Sequence, residues 1–511
     1  YTVGAGEDGK SIRAVISYQD SQGFDEVVTT STSSIPYVDD GDASFSISGT
    51  KAVGQTLGIS EDSADPDGTG DLTIKWESST DEITWFNVGS SSTFELFSSS
   101  PLSIEKQVGA DLIGNEEERL GGNVSISTDG NVLAFISHNP YTSNKYVRVY
   151  KKSNEQWEQI GGDLETTSSG YISSISLSSD GSIIAIGGPH INRGSDYDQR
   201  YVRIYQNQNN NWTQLGADIN GRYYGGDYFG YSLDLSDDGK VIAIGIPDSH
   251  SSSPFLYQSG SIEVYEFNQG TSDWSIIDQK LYGERSYDFS GASISISGDG
   301  KRIAVGAPAT FKSNFDYGVT RVYEDISGQW NKIGGDIYQE GDNSGFSGDI
   351  AGYSVALSND GSILVVGAPN AGGSYNGEIR VYKESNGSWE QLGEDISYSS
   401  SKPSIRFLGS EVSISDDGSV IAVTNRSSDN TEKSEVLLFK FDGQNWIKFN
   451  DTVFSESIER LSSGATQQVQ QSIDLSGNGS FLIVGEGVFD EATYSQNNGI
   501  VKVYEINKNE S

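Results

Sequence analysis

The chain has 511 residues, and 33 Lys and Arg against 72 Asp and Glu give it a formal net charge of −39. This balance excludes a nucleic-acid groove as the main function and disfavours docking on anionic lipid, because both need clustered basic residues. The absence of Cys excludes disulfides and a Cys nucleophile, no apolar run is long enough for membrane insertion, and the absence of Met suggests a processed piece of a longer protein.

Residues 1–98 read as short strands separated by acidic loops. Strands are predicted at 56–59, 72–76, 84–88 and 93–96, where apolar and polar residues alternate. Four short motifs stand out in this region: Val53-Gly54-Gln55-Thr56-Leu57, Asp65-Pro66-Asp67-Gly68, Ile74-Lys75-Trp76 and Thr84-Trp85.

On these motifs the region resembles the bacterial immunoglobulin-like modules that occur in tandem on large secreted proteins. Residues 8–13 and 17–23 resemble the last two strands of such a module, although they precede the rest. We therefore expect a partial module over 1–36 and a second immunoglobulin-like β-sandwich over 37–98. The first strand pair either folds back onto 43–97, which we favour, or completes a module in another copy, since two strands alone are marginal in water.

Two acidic loops of this region are candidate calcium sites. Closely spaced carboxylates on a Gly-rich turn supply the oxygen ligands that Ca²⁺ prefers. The alternative is a solvated acidic turn without a metal. The candidate ligands are Asp62, Asp65, Asp67 and Asp71 in one loop and Asp39, Asp40 and Asp42 in the other.

A two-residue turn recurs seven times from about residue 122 onward and divides the rest of the chain into units. The turns lie at Asp129-Gly130, Asp180-Gly181, Asp238-Gly239, Asp299-Gly300, Asp360-Gly361, Asp417-Gly418 and Asn478-Gly479. Their Asp or Asn residues are 51, 58, 61, 61, 57 and 61 residues apart. Asp or Asn before Gly tolerates the positive φ of a tight hairpin, so each turn joins two strands.

Each unit contains four predicted strands. The first alternates small polar with aliphatic residues, as at 232–236, and a nearly continuous apolar strand such as 241–244 follows the turn. A third strand reads like Tyr-Val-Arg-Ile-Tyr at 201–205, and a fourth begins at a Trp such as Trp212. Repeated four-stranded units predict an all-β fold with a seven-bladed β-propeller over 99–511. The repeated Trp residues are expected to pack between blades.

The seventh unit ends after its third strand, 501–504, and lacks a Trp strand. The missing sequence stands before the first unit, where 107–112 reads Gln-Val-Gly-Ala-Asp-Leu and matches Gln-Ile-Gly-Gly-Asp-Leu at 159–164. We therefore predict that this N-terminal strand completes the last blade and closes the ring. Closure removes open sheet edges, which otherwise promote aggregation.

Two further motifs recur in register with the turns. Phe229-Gly230 precedes a first strand, and second strands end in Gly245-Ile246-Pro247, Gly306-Ala307-Pro308 and Gly367-Ala368-Pro369. On these residues the units resemble FG-GAP repeats, the family that builds the integrin-α-type propeller. The resemblance implies a propeller that binds protein or glycan. The acidic calcium loop of many such repeats is absent, so we expect no calcium site in the propeller.

Candidate ligand-binding residues lie in the loops after the second strands. His138, His190 and His250 each follow a turn glycine by 8, 9 and 11 residues, which places them on one face of the disc. A metal or ligand site is one interpretation, and loop chemistry shared by repeats is the other. Loops on a rigid scaffold carry function more often than the scaffold does. The aromatic loop residues are therefore the better candidates for contact with glycan or protein: Tyr141, Tyr197, Tyr257, Phe311 and Tyr375.

No nucleophile and no pair of carboxylates is singled out by spacing, so we expect no enzymatic activity. The sequence favours an extracellular or cell-surface recognition or adhesion protein that binds protein or glycan. One alternative is a structural subunit of a surface layer, filament or virus particle, in which copies of the chain contact each other. The other alternative is a secreted glycoside hydrolase, which needs two placed carboxylates.

Overall fold

The computed structural model splits into two compact units, which are described separately. The first comprises Tyr1–Ser103, Phe441–Asn445 and Asn507–Ser511, and the second Ile104–Lys440 and Trp446–Ile506. The structure describes residues 11–19, 24–29, 44–49, 56–63, 72–79, 86–89, 93–95, 103–114, 119–138, 145–165, 172–188, 200–221, 227–308, 318–338, 350–371, 376–397, 405–427, 434–454, 468–489 and 499–507.

The described residues of the first unit form two antiparallel sheets. Its strands are β1 (Ser11–Gln19), β2 (Asp25–Thr29), β3 (Ser44–Ser48), β4 (Thr56–Ser63), β5 (Leu72–Ser79), β6 (Phe86–Gly89) and β7 (Thr93–Glu95). One sheet has the order β2-β1-β5-β6, and the other has the order β3-β4-β7. Ile16 of β1 lies opposite Ile74 of β5, so the first strand pair folds back onto the following strands, as we expected. Tyr18 and Phe45 are buried and pack edge to face with ring centroids 6.3 Å apart.

The second unit consists of short antiparallel strands in a repeating order. It begins with β8 (Ser103–Gln107) and β9 (Leu112–Ile113). Blade 1 contains β10 (Arg119–Ile126), β11 (Val132–His138), β12 (Lys145–Ser153), β13 (Gln156–Gln159) and β14 (Leu164–Glu165). Blade 2 contains β15 (Ser174–Leu177), β16 (Ile183–Gly188), β17 (Tyr201–Gln208), β18 (Asn211–Gln214) and β19 (Ile219–Asn220). Blade 3 contains β20 (Leu233–Leu235), β21 (Val241–Ile246), β24 (Ser261–Asn268), β25 (Asp273–Ile276) and β26 (Leu281–Tyr282), with the small pair β22 (Ser251–Ser252) and β23 (Phe255–Leu256) inserted between β21 and β24. Blade 4 contains β27 (Ser293–Ile296), β28 (Arg302–Ala307), β29 (Val319–Asp325) and β30 (Trp330–Tyr338), and blade 5 contains β31 (Ser354–Leu357), β32 (Ile363–Ala368), β33 (Glu378–Ser385) and β34 (Ser388–Gln391). Blade 6 contains β35 (Ile405–Arg406), β36 (Val412–Ile414), β37 (Val420–Ser427), β38 (Glu435–Phe441) and β39 (Trp446–Phe454). Blade 7 contains β40 (Gln468–Leu475), β41 (Phe481–Phe489) and β42 (Ile500–Asn507).

Seven sheets repeat one strand order, and each sheet is a blade. Blade 2, for example, has the order β15-β16-β17-β18, and blade 5 has the order β31-β32-β33-β34. The seventh sheet has the order β40-β41-β42-β8, and Val501 of β42 lies opposite Leu112 of β9. The Val108 N–H donates to the carbonyl of Val503 at 2.8 Å. The second strand of each blade is apolar because neighbouring sheets cover both of its faces.

A ring of backbone hydrogen bonds links the seven Asp-Gly and Asn-Gly turns. In the first six blades the residue before the turn donates its N–H to a carbonyl just before the turn of the next blade, as from Thr128 to Ser179 at 2.9 Å. The chain of donors continues through Ser179, Asp237, Gly298, Asn359 and Asp416. At the last step the Asn478 N–H donates back to the Thr128 carbonyl at 3.0 Å. The seven blades therefore follow one another in sequence order around one axis, which confirms the predicted seven-bladed β-propeller.

Aromatic and glycine residues fasten each blade to its neighbour. Trp212 Nε1 donates to the carbonyl of Ile160 in the preceding blade at 2.9 Å. A Cβ on Gly161 would lie 2.6 Å from the same indole, so the contact requires glycine. A Cβ on Gly187 would lie 2.4 Å from the carbonyl oxygen of Gly230 in the next blade. The repeated Trp residues therefore pack between blades, as we expected.

Within the described residues, no helix has the length and apolar character that crossing a bilayer requires.

Candidate functional site

The two ends of the propeller differ in how the chain is connected. The Asp-Gly turns join first to second strands at one end, which we call the turn face. The loops after the second strands, and the connections from one blade to the next, lie at the opposite end, which we call the loop face. Binding residues of a scaffold usually lie on its loops, so the loop face and the central channel are the two places to consider.

The turn face is closed by hydrogen bonds within each turn. Ser127 Oγ donates to Asp129 Oδ1 at 2.7 Å and accepts the Val132 N–H at 2.9 Å. Burial acts to raise the pKa of Asp129, but hydrogen bonds from Ser127 and Asn131 outweigh it, so the pKa lies below its usual value. The Ser-x-Asp-Gly pattern is therefore explained by the turn itself.

Ion pairs between third and fourth strands explain the Arg and Asp residues of the repeats. In blades 1 and 2 the pairs are partly exposed, with Arg148 Nε 3.0 Å from Asp163 Oδ1 and Arg203 Nη2 2.6 Å from Asp218 Oδ2. In blade 4 the guanidinium of Arg321 is buried. These residues contribute to the blades rather than to a ligand site.

The first strands surround a narrow channel of about 330 Å³ along the axis. Small polar side chains of one strand accept backbone N–H groups from the first strand of the next blade. The alternating Ser residues of the first strands therefore link neighbouring blades by hydrogen bonds. The bonds run from Leu177 to Ser125, from Leu235 to Ser176, from Leu357 to Ser295 and from Leu475 to Ser413.

Three carboxylates take the place of Ser in this channel. Asp234 Oδ2 accepts the Ile296 N–H at 2.9 Å, and Asp474 Oδ2 accepts the Ile126 N–H at 3.0 Å. Glu411 Oε2 accepts the N–H of a residue in blade 7, Ile473, at 3.0 Å. The sequence analysis missed these three residues as a group, although Asp at a serine position of the repeat was a usable signal.

Burial raises the pKa of all three channel carboxyls, although backbone N–H groups that donate to them oppose the shift. The pKa is raised to about 6 for Asp234, about 7 for Asp474 and about 8 for Glu411. The charge of Asp237 adds to the rise at Asp234, and the charges of Asp234 and Asp474 add to the rise at Asp474 and Glu411, respectively. These carboxyls therefore keep their protons to a higher pH in the folded state than in the unfolded chain.

Stability is therefore expected to fall as the pH rises from about 5 to about 8. A pKa raised on folding gives stability that is complete below the unfolded value and is lost as the pH rises through the folded values, here about 6 to 8. The variant Asp474→Asn should reduce the difference in Tm between these two pH values by at least about 2 °C. Thermal melts of both proteins across the pH range test this. If Asp474→Asn leaves the difference in Tm between the two pH values unchanged, the Asp474 carboxyl does not contribute to the pH dependence of stability.

The described residues contain no group of three or more His, Asp or Glu side chains that could hold a metal ion. The channel carboxylates instead bind backbone N–H groups of neighbouring blades. Asp62 is exposed on β4 and accepts a hydrogen bond from Ser46 Oγ at 2.9 Å.

An aromatic cluster on the loop face of blade 3 brings together two of the predicted ligand-binding residues. His250 and Tyr257 lie with ring centroids 4.5 Å apart, and Phe255 lies 6.1 Å from His250. Tyr287 joins from the connection to blade 4, with its ring 5.3 Å from that of Tyr257. Phe255 is 68% exposed and Tyr257 is 43% exposed. We call His250, Phe255, Tyr257 and Tyr287 the aromatic cluster.

A small hairpin and the next blade hold the aromatic cluster in place. Ser251 lies opposite Leu256 in the pair of β22 with β23. His250 Nδ1 accepts the Gln258 N–H at 3.2 Å, which fixes the imidazole on the hairpin. The Tyr287 N–H donates to the carbonyl of Tyr257 at 2.8 Å. The rings therefore have a defined arrangement before any ligand arrives.

Further tyrosines lie at the loop-face end of the first strands. Tyr231 lies two residues before the first strand of blade 3, Tyr353 directly precedes the first strand of blade 5, and each is nearly half exposed. Tyr228 packs edge to face with Tyr231 at 6.2 Å, and the Arg200 guanidinium lies 5.5 Å above the Tyr228 ring. Sequence reasoning missed these residues because their positions within the repeat resemble those of structural residues.

His138 ends β11 opposite Arg119 and Lys145, on blade 1, whereas His250 lies on blade 3, so these two are not on adjacent blades. The other predicted residues lie outside the described residues: Asp39, Asp40, Asp42, Asp65, Asp67, Asp71, Tyr141, His190, Tyr197, Phe311 and Tyr375.

No family model matches the chain, and no curated protein sequence matches it. Among solved structures, the hydrazine synthase of Kuenenia stuttgartiensis is similar with a TM-score of 0.43 and 13% identity over 76% of this chain and 98% of that chain. A protein from Lactobacillus plantarum is similar with a TM-score of 0.44 and 13% identity over 76% and 100% of the two chains. The Dos1 propeller has a TM-score of 0.41 and 11% identity over 78% and 94%. Likenesses at this level carry no argument about ligand or activity.

Proposed function

We propose that the chain is an extracellular or cell-surface recognition protein without enzymatic activity, whose loop face binds protein or glycan. The aromatic cluster is the observation that carries this proposal. Exposed rings held by a backbone-bonded hairpin provide contact area at low entropic cost, which is the usual property of a binding surface.

Two parts of the proposal concern the architecture. The first unit is an immunoglobulin-like sandwich, which the two antiparallel sheets support, and calcium at its acidic loops stays a prediction. The N-terminal strand closes the ring, which the position of β8 beside β42 supports. The FG-GAP resemblance of the repeats stays a prediction and is consistent with the propeller.

A glycoside hydrolase is the second candidate, because raised pKa values in a cavity are typical of catalytic carboxyls. Against it, Asp234, Glu411 and Asp474 each accept a backbone N–H of the next blade. A carboxylate that fastens two blades is poorly placed to donate a proton to a sugar. A structural subunit of a surface assembly gains no comparable support from the described residues.

Glycan and protein arrays, run with calcium and with a chelator, test the proposed function. The full chain should bind at least one class of probe, and the double variant Phe255→Ala/Tyr257→Ala should lose that binding. Ile326→Ala is the matched control, because Ile326 is 54% exposed on the hairpin between β29 and β30 at the turn face. Absence of binding on both arrays contradicts a recognition role.

A further inference from the structure

We propose that the aromatic cluster binds a pyranose ring of a neutral oligosaccharide, which deepens and rests on the proposed function. The apolar face of the sugar would stack on Phe255 and Tyr257, and polar groups at the edge of the cluster would bind its hydroxyls. The geometry of the rings, the polar groups beside them, the rigidity of the hairpin and the charge of the protein all favour such a ligand.

The rings of the aromatic cluster form a short row in which neighbouring planes are inclined to each other, by 51° for His250 and Tyr257 and by 65° for Tyr257 and Tyr287, so a ligand stacks on one ring face at a time. Neighbouring centroids are 4.5 Å apart for His250 and Tyr257 and 5.3 Å apart for Tyr257 and Tyr287. An aromatic face carries partial negative charge, and the C–H bonds on the apolar face of a pyranose carry partial positive charge, so the two attract each other. A sugar ring is about as wide as one of these rings, so one exposed ring face matches one sugar residue.

Polar groups border the row on the side of the hairpin. Because His250 Nδ1 accepts the Gln258 N–H, a neutral imidazole carries its own hydrogen on Nε2 and can donate it. Gln258 Nε2 donates to Asp248 Oδ1 at 3.0 Å, which places a carboxylate beside the cluster. A carboxylate is an acceptor with several lone-pair sites, which is the type of group that a sugar hydroxyl donates to. A donor and an acceptor at the edge of a stacking surface are the groups that sugar hydroxyls need.

The hairpin is fixed to the next blade by hydrogen bonds that do not involve the rings. The Tyr257 N–H donates to Ser286 Oγ at 3.1 Å, and the Phe289 N–H donates to the Gln258 carbonyl at 3.3 Å. Ser251 Oγ donates to the Pro254 carbonyl within the hairpin at 2.9 Å. Weak ligands such as sugars bind measurably only where little ordering is needed on binding, and this hairpin is already ordered.

A sugar fits the size and charge of this surface better than a protein does. A stable protein interface buries about 800 Å² on each partner, and four partly exposed rings supply less than that. The net charge of −39 and the neighbouring Asp248 disfavour sialylated or sulfated glycans. A neutral oligosaccharide with an exposed apolar ring face is therefore the ligand class that the residues favour.

Titration of the full chain with oligosaccharides tests this proposal. The probes are neutral tetrasaccharides built from glucose, N-acetylglucosamine, galactose or mannose, with lacto-N-neotetraose and its sialylated form as a matched pair. We expect saturable binding of at least one neutral probe with a Kd of about 0.1–1 mM by calorimetry or ligand-observed NMR. Phe255→Ala and Tyr257→Ala should each weaken it at least about tenfold, which corresponds to one strong contact. Ile326→Ala should retain it, and thermal melts confirm that each variant folds.

The outcomes separate this proposal from the proposed function. Failure of every neutral probe to bind at millimolar concentration overturns the glycan assignment. If a protein probe then binds and loses its affinity in Phe255→Ala, the surface recognises protein, and the recognition function stands. Sugar binding that Phe255→Ala and Tyr257→Ala leave unchanged places the site elsewhere and also overturns the assignment. Failure of both classes of probe contradicts the recognition function itself.

Discussion

Deletion of residues 99–112 is expected to lower the Tm of the propeller by about 10 °C or more. The deletion removes the fourth strand of blade 7, including buried Val108 and its hydrogen bond to Val503. It also removes Asp111, whose Oδ2 lies 3.7 Å from Lys502 Nζ. The exposed edge of β42 should then promote aggregation, since an unpaired strand offers N–H and C=O groups to other chains. Thermal melts and size-exclusion chromatography measure both effects.

A replacement of the same segment provides the matched control. Residues 107–112 can be exchanged for the sequence of 159–164, which performs the same task in blade 1 and keeps the Gly and Asp of the motif. The exchanged protein should melt within a few degrees of the parent, because Trp157 Nε1 can still donate to the carbonyl at position 108. A deletion variant with the Tm of the parent would show that the ring does not depend on this strand.

The variant Arg321→Met is expected to cost about 3–5 kcal/mol of folding free energy, the usual result of removing one partner of a buried ion pair. The Arg321 guanidinium is 1% exposed and lies 3.0 Å from Asp336 and 3.3 Å from Asp288. Burial acts to raise the pKa of Asp336, but Arg321 and Lys332 outweigh it and hold the pKa at about 2. Without Arg321, the buried carboxylate of Asp288 keeps the backbone N–H groups of Glu284 and Arg285 and an ion pair with the Arg285 guanidinium, but loses its buried cationic partner. Chemical denaturation measures the loss.

The variant Arg148→Met is the control for Arg321→Met. Arg148 makes the equivalent pair with Asp163 in blade 1, but both side chains are partly exposed to water. An exposed pair contributes about 0.2–1 kcal/mol, so the control should melt close to the parent. Equal losses in the two variants would contradict the argument, because burial is the difference between them.

The fold could be predicted to a large extent from local patterns. The spacing of Asp-Gly turns, the alternating first strands and the Trp-bearing fourth strands each have one short-range physical cause, and together they indicated seven blades. The matching of 107–112 to 159–164 pointed to the strand that lies beside β42. The first unit was harder to interpret, because β1 pairs with β5 over a long separation in sequence.

The candidate site was predictable only in part. Spacing placed His250 and Tyr257 on the loop face, but the sequence between repeats does not specify the hairpin that brings Phe255 beside them. Tyr287 lies in the connection from blade 3 to blade 4, far from the hairpin in sequence, and only the tertiary structure brings its ring against that of Tyr257. The channel carboxylates were visible as Asp at serine positions, but their raised pKa depends on how closely the first strands approach one another.

The ring of backbone hydrogen bonds lies entirely at the turn face, and the backbone supplies it whatever the side chains are. Length and composition can therefore change at the opposite end without breaking this ring of hydrogen bonds. The turn face, which carries the ring, must therefore stay constant, whereas the loop face can change in sequence. This arrangement makes the propeller a suitable frame for grafting foreign loops, beginning with the hairpin between β21 and β24.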